Sequence, residues 1–73
     1  SKITAKNAAV LSFLELMNEV PASYFSEGRK KLTIEFITNN GITRRDITEY
    51  APAFPDKAMR TLVESEIIYH VTQ

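Results

Sequence analysis

At 73 residues, 44% apolar and 25% charged, the chain has the makeup of one ordinary globular domain, and its lack of cysteine excludes disulfides and thiolate metal sites as staples. Basic and acidic side chains balance at nine each, which argues against a broad polyanion-binding surface. No apolar run approaches the roughly 20 residues of a membrane span. The charge is nonetheless unevenly placed: seven basic and four acidic residues lie between Arg29 and Arg60, and two basic and five acidic residues lie elsewhere.

Lys2 and Lys6 before Ala8-Ala9-Val10-Leu11 briefly suggest a secretory signal, but Glu15 and Glu19 interrupt the apolar run. An amphipathic helix from about Thr4 to Val20 is the better reading, and a cytoplasmic protein of one domain, 1–73, is expected. Ala9, Val10, Phe13, Leu14, Leu16, Met17 and Val20 share one arc of that helix. Leu11 falls on the polar side, where it would be exposed in a monomer. Thr4 suits the N-cap and Pro21 the stop. Tyr24 and Phe25, in the connector that follows, are expected to plug the rim of the core.

Residues 31–38 fit two readings. Leu32, Ile34 and Phe36 alternate with Thr33 and Glu35 as in a strand, while Leu32, Thr33, Phe36 and Ile37 make one helical face. Asn39-Asn40-Gly41 serves a hairpin or a helix stop equally. Arg44-Arg45-Asp46 makes a poor returning strand and a good first helical turn, which favours the helix, with Ser26 as its cap.

A short helix is predicted over Thr43 to Ala51, its start marked by Thr43 and Asp46 at capping-box spacing. Ile47, Tyr50 and Ala51 face inward. Pro52 and Pro55 confine the turn, beneath which Phe54 packs. The next helix begins with Pro55 at its first position or Asp56 as its cap. Met59, Leu62 and Val63 form its buried stripe, and Lys57, Arg60, Thr61 and Glu64 form the opposite face. Ile67-Ile68-Tyr69-His70-Val71-Thr72 reads as a strand, with an apolar edge that another chain could pair with.

The stretch Gly41-Ile42-Thr43-Arg44-Arg45-Asp46-Ile47, the turn, the following helix and the exit Glu64-Ser65-Glu66-Ile67-Ile68 together resemble the winged helix-turn-helix superfamily of DNA-binding proteins. The likeness covers about 30 residues. At the exit, Ser65-Glu66 stands where a glycine is more usual. The resemblance implies a mainly α, winged-helix-like fold with a truncated wing, an extra N-terminal helix and a short C-terminal β-strand. It also implies a recognition helix at about 56–65, with Lys57, Arg60 and Thr61 toward the major groove. Arg44, Arg45, Lys30 and Lys31 would contact phosphates, and the N-terminus of the Thr43 helix would add a backbone contact. A full two-stranded wing is not expected within these 73 residues, and Glu64 lies on the reading face.

Catalysis finds little support. His70 is the one histidine, Glu15 and Glu19 lack partners of metal-ligand type, and Gly28 and Gly41 make no phosphate loop. No catalytic residue, metal or cofactor is expected. The expected function is a small transcriptional regulator binding double-stranded DNA, of phage or plasmid type, dimerising through the N-terminal helix at Leu11. The alternative is a protein-interaction module of the same fold that binds a polymerase or another regulator without touching DNA. A third reading pairs 31–38 with 67–72 as strands.

Overall fold

Helix α1 (Ala5–Glu19) forms where apolar residues recur at three- and four-residue steps, and it sends Val10, Phe13, Leu14 and Met17 into the core. The computed structural model describes residues 5–73, so the expected cap at Thr4 lies outside them. Within the predicted arc one residue departs: Leu16 is 51% exposed, whereas Leu11 is half-buried. The exposed leucine of this helix is therefore Leu16 and not Leu11. Pro21, with extended backbone, ends the run. A 3-10 turn at Ala22–Tyr24 then drops Phe25 into the core and leaves Tyr24 exposed, so one aromatic of the pair plugs the rim.

Helix α2 (Glu27–Asn39) takes up residues 31–38, which excludes the strand pairing of 31–38 with 67–72. Ser26 caps it by accepting from the Arg29 backbone N–H at 3.3 Å. At the other end Gly41 adopts φ 63°, its N–H donates to the Thr38 carbonyl, and the Ile42 N–H donates to the Ile37 carbonyl. Those two bonds are the Schellman arrangement, and they turn the chain instead of folding it into a hairpin. The inner face is narrower than expected. Ile37 is its buried residue, Thr33 and Ile34 are half-buried, and Leu32 and Phe36 remain exposed. Leu32, Ile34, Phe36 and Ile37 span about 200° of helix, more than one contact surface covers.

Helix α3 (Arg44–Tyr50) starts at the predicted capping box and buries Ile47. The 3-10 turn Ala51–Ala53 contains Pro52, and Phe54 packs against the core as expected. Pro55 stands just outside helix α4 (Asp56–Glu64) with extended backbone, and Asp56 is the first helical residue rather than its cap. The buried stripe of α4 is Ala58, Thr61, Leu62 and Ser65, spaced i, i+3, i+4, i+7. Val63 is 50% exposed and Met59 half-buried, so the helix is rotated from the predicted orientation. Small side chains explain the rotation. Ala58, Thr61 and Ser65 fill the buried face of α4 with small side chains, and α4 makes its most extensive helix contact with α1.

The expected C-terminal strand is instead a 3-10 turn, Ile67–His70, and no strand occurs among the described residues. Glu66 adopts φ 65° and reverses the chain directly after α4. Ile67 and Val71, four residues apart, then enter the core together. With no neighbouring strand beside them, the carbonyls of Tyr69, Val71 and Thr72 accept from Arg44 instead. The apolar edge strand expected at Ile67-Ile68-Tyr69 is thus absent.

The result is mainly helical, with a radius of gyration of 11.4 Å, that of a compact chain of this length. Val10, Leu14, Met17, Ile42, Ile47, Leu62 and Ile67 are its fully buried large side chains. At roughly 1.5–3 kcal/mol for each such burial, this cluster dominates stability. Helix α2 approaches the Ile67–His70 turn and stands off from α1. Among the described residues, no helix is long and apolar enough to cross a membrane.

Candidate nucleic-acid interface

The first turn of α3 is held from three sides. The Asp46 backbone N–H donates to Thr43 Oγ1 at 3.2 Å, and the Thr43 backbone N–H donates to Asp46 Oδ2 at 2.8 Å. Lys6 Nζ lies 3.0 Å from the same carboxylate oxygen and ties α1 to the start of α3. Burial pushes the Asp46 carboxyl upward, but the Thr43 N–H, the Lys6 ammonium and the Thr43 hydroxyl outweigh it and leave the group below its ordinary value.

Arg44 closes the third side. Its backbone N–H donates to the Thr72 carbonyl at 2.7 Å, its Nε to the Val71 carbonyl at 2.8 Å, and its Nη2 to the Tyr69 carbonyl at 3.4 Å. The expected backbone phosphate contact at this helix start is therefore not open. The Arg44 and Asp46 N–H groups already have partners, and the Asp46 carboxylate would repel an anion. Arg44 itself is half-buried and serves the fold. Arg45 is exposed, beside Thr48, Glu49 and Gln73 in a shallow depression.

On α4, Lys57 and Arg60 are exposed one turn apart, and neither takes part in an ion pair among the described residues. Glu64 continues the same face, with Asp56 and Val63 exposed alongside. Thr61 does not belong to it. At 3% exposure it faces the core, on the buried face that takes in the i+3, i+4 and i+7 steps from Ala58. Thr61 is corrected from a base-reading residue to a packing residue.

Lys30 and Lys31 sit elsewhere. Lys30 Nζ is 3.4 Å from Glu27 Oε1, and both lysines border a depression shared with Ser65, Glu66 and His70. That places them by the last turn of α4, about 12 Å along the axis from Lys57 in its first turn. The structure thus separates the expected contacts into three groups: Lys57 with Arg60, Arg45 beside the structural Arg44, and Lys30 with Lys31.

A second surface was not anticipated from sequence. Between α1 and α2 runs an open groove of about 460 Å³, lined by Phe13, Leu16, Val20, Phe25, Leu32 and Phe36 among others. The rings of Phe13 and Phe36 stack across it with centroids 6.2 Å apart. The signal in sequence was the surplus of apolar residues around α2, more than one buried face accommodates. Compared with protein-family models, curated proteins and solved structures, the chain matches none.

Proposed function

We propose that the protein is a small DNA-binding regulator of helix-turn-helix type, in which α4 enters the major groove and α3 lies across the backbone. The observation that carries this reading is the division of α4 into two faces. One is buried through Ala58, Thr61, Leu62 and Ser65; the other presents Lys57 and Arg60, exposed and free of ion pairs among the described residues. Arginine and lysine on such a face pair with guanine edges. Arg45, exposed on α3, supplies a phosphate contact. The contact set is smaller than the sequence suggested, and no wing is invoked.

The test is a titration against duplex DNA over a salt series. Binding that falls steeply with salt, with a slope of about −0.9 per phosphate neutralised, supports the reading. Absence of detectable binding at about 50 mM salt overturns it.

A protein-interaction role is the second reading. It is favoured by the apolar groove, whose walls include the exposed Leu16, Leu32 and Phe36. Under that reading α4 carries charge for solubility alone, and the DNA titration stays flat.

A further inference from the structure

Side chains of opposite charge flank the α1–α2 groove. On α1, Ser12 and Leu16 line the groove, and Glu15 and Glu19 follow them at three-residue steps, both exposed. The one cation of α1, Lys6, is committed to Asp46. On α2 the groove wall carries Arg29, also exposed, next to Leu32 and Phe36. The carboxylates of α2 lie away from this wall. Glu27 is paired with Lys30, and Glu35 borders the depression on the opposite side of the helix. The groove is therefore lined mainly by apolar side chains, with Arg29 on its α2 wall and Glu15 and Glu19 exposed on α1 just outside its lining.

We infer that the groove docks a second copy of this chain, related by a two-fold axis running along the groove. A two-fold interface pairs a surface with itself, so that surface must be self-complementary. An axis along the groove sets each α1 rim over the α2 rim of the other copy, which brings Glu15 and Glu19 toward Arg29. An axis across the groove would set glutamate over glutamate, so the charges select the first geometry. The same geometry sets Leu16 of each copy against the α2 wall of the other, which carries Leu32, and so covers the largest exposed aliphatic side chains of the two helices. The inference stands apart from the DNA reading and is tested without nucleic acid.

Sedimentation of the purified chain from about 10 μM to about 1 mM reads the association directly. The expected result is a monomer–dimer equilibrium within that range. Leu32→Glu, at a site 68% exposed, leaves the helical circular dichroism unchanged and weakens association at least about tenfold. Glu19→Arg and Arg29→Glu each weaken it, and the double reversal restores it to within about threefold of the starting value. A chain that stays monomeric to about 1 mM overturns the inference. A dimer indifferent to Leu32→Glu, or one that the double reversal fails to restore, overturns it equally.

Discussion

Arg44 donates from Nε to the Val71 carbonyl at 2.8 Å, a bond that joins positions 27 residues apart. It fastens the segment after α4 to the first turn of α3, and Val71 beneath it is buried. Charge-assisted bonds of this kind are worth more than neutral ones. Arg44→Ala is expected to lower stability by about 1–2 kcal/mol, read by urea denaturation. Arg44→Lys recovers little of this, since an ammonium lacks the planar fork that reaches two carbonyls. Arg45→Ala stays within about 0.5 kcal/mol of the starting protein. Equal stability of Arg44→Ala and Arg45→Ala would remove the clamp from the account.

Asp46 makes the fold sensitive to acid. Its folded carboxyl titrates below its ordinary value of 3.8, so its contribution is complete above that pH and drains away as pH falls through the lowered folded value. Asp46→Asn should flatten the acid limb of a stability–pH profile and leave the neutral region parallel to the original. Thr43→Ala, which removes the other half of the cap, should cost about 1 kcal/mol across the range. An unchanged acid limb in Asp46→Asn would contradict the assignment.

Two left-handed residues close two helices, and only one is a glycine. Gly41 has φ 63° with no heavy atom within 4 Å of a Cβ placed there, so Gly41→Ala costs about 1 kcal/mol through backbone strain alone. Glu66 has φ 65° and bears that strain already. Glu66→Gly is expected to raise the thermal midpoint, with a gain of up to about 1 kcal/mol. A lowered midpoint would mean that the Glu66 side chain contributes more than the strain it brings.

On α4 the DNA reading separates neighbours in sequence. Lys57→Ala and Arg60→Ala should each cost about 1–3 kcal/mol of affinity for the preferred duplex and relax base preference, whereas Arg45→Ala should weaken binding to all sequences alike and lower the salt slope by about one phosphate's worth. Thr61→Lys adds a positive charge next to Arg60, yet its place in the core predicts a loss of stability of at least about 2 kcal/mol and no gain in affinity. Tighter DNA binding by a fully folded Thr61→Lys protein would show that residue 61 faces the duplex after all.

Helix boundaries were legible wherever they were set by local chemistry. Ser26, the Thr43–Asp46 pair, Gly41, Pro21 and Pro52 each act within a few residues of themselves, and each does in the structure what its type suggests. Inner faces were less legible, because tertiary contact decides them. Thr61 and Ser65 are buried although polar, small enough for a closely packed face that hydrophobicity alone does not register. Val63 and Leu16 are apolar yet lie beyond the contact zone. The C-terminal segment misled for a similar reason. Ile67-Ile68-Tyr69 has strand-prone composition, but a strand needs a neighbour, and Arg44 supplies the bonds instead. Of the candidate site, the basic pairs were readable and the groove was not, since it exists only where α1 and α2 diverge.

That divergence also sets an order of opening. Helix α2 is anchored by Ile37, by the stack of Phe36 on Phe13 and by its approach to the Ile67–His70 turn, whereas α1 and α4 share the main core. Its ends are a one-residue serine cap and a glycine turn, the natural pivots of a hinged flap. Amide protons of α2 should therefore exchange with solvent through a partial unfolding that leaves the α1–α4 pair closed, and sooner than those of α4. Because α2 forms one wall of the groove, whatever fills the groove should slow exchange of the α2 amides before it affects those of α4.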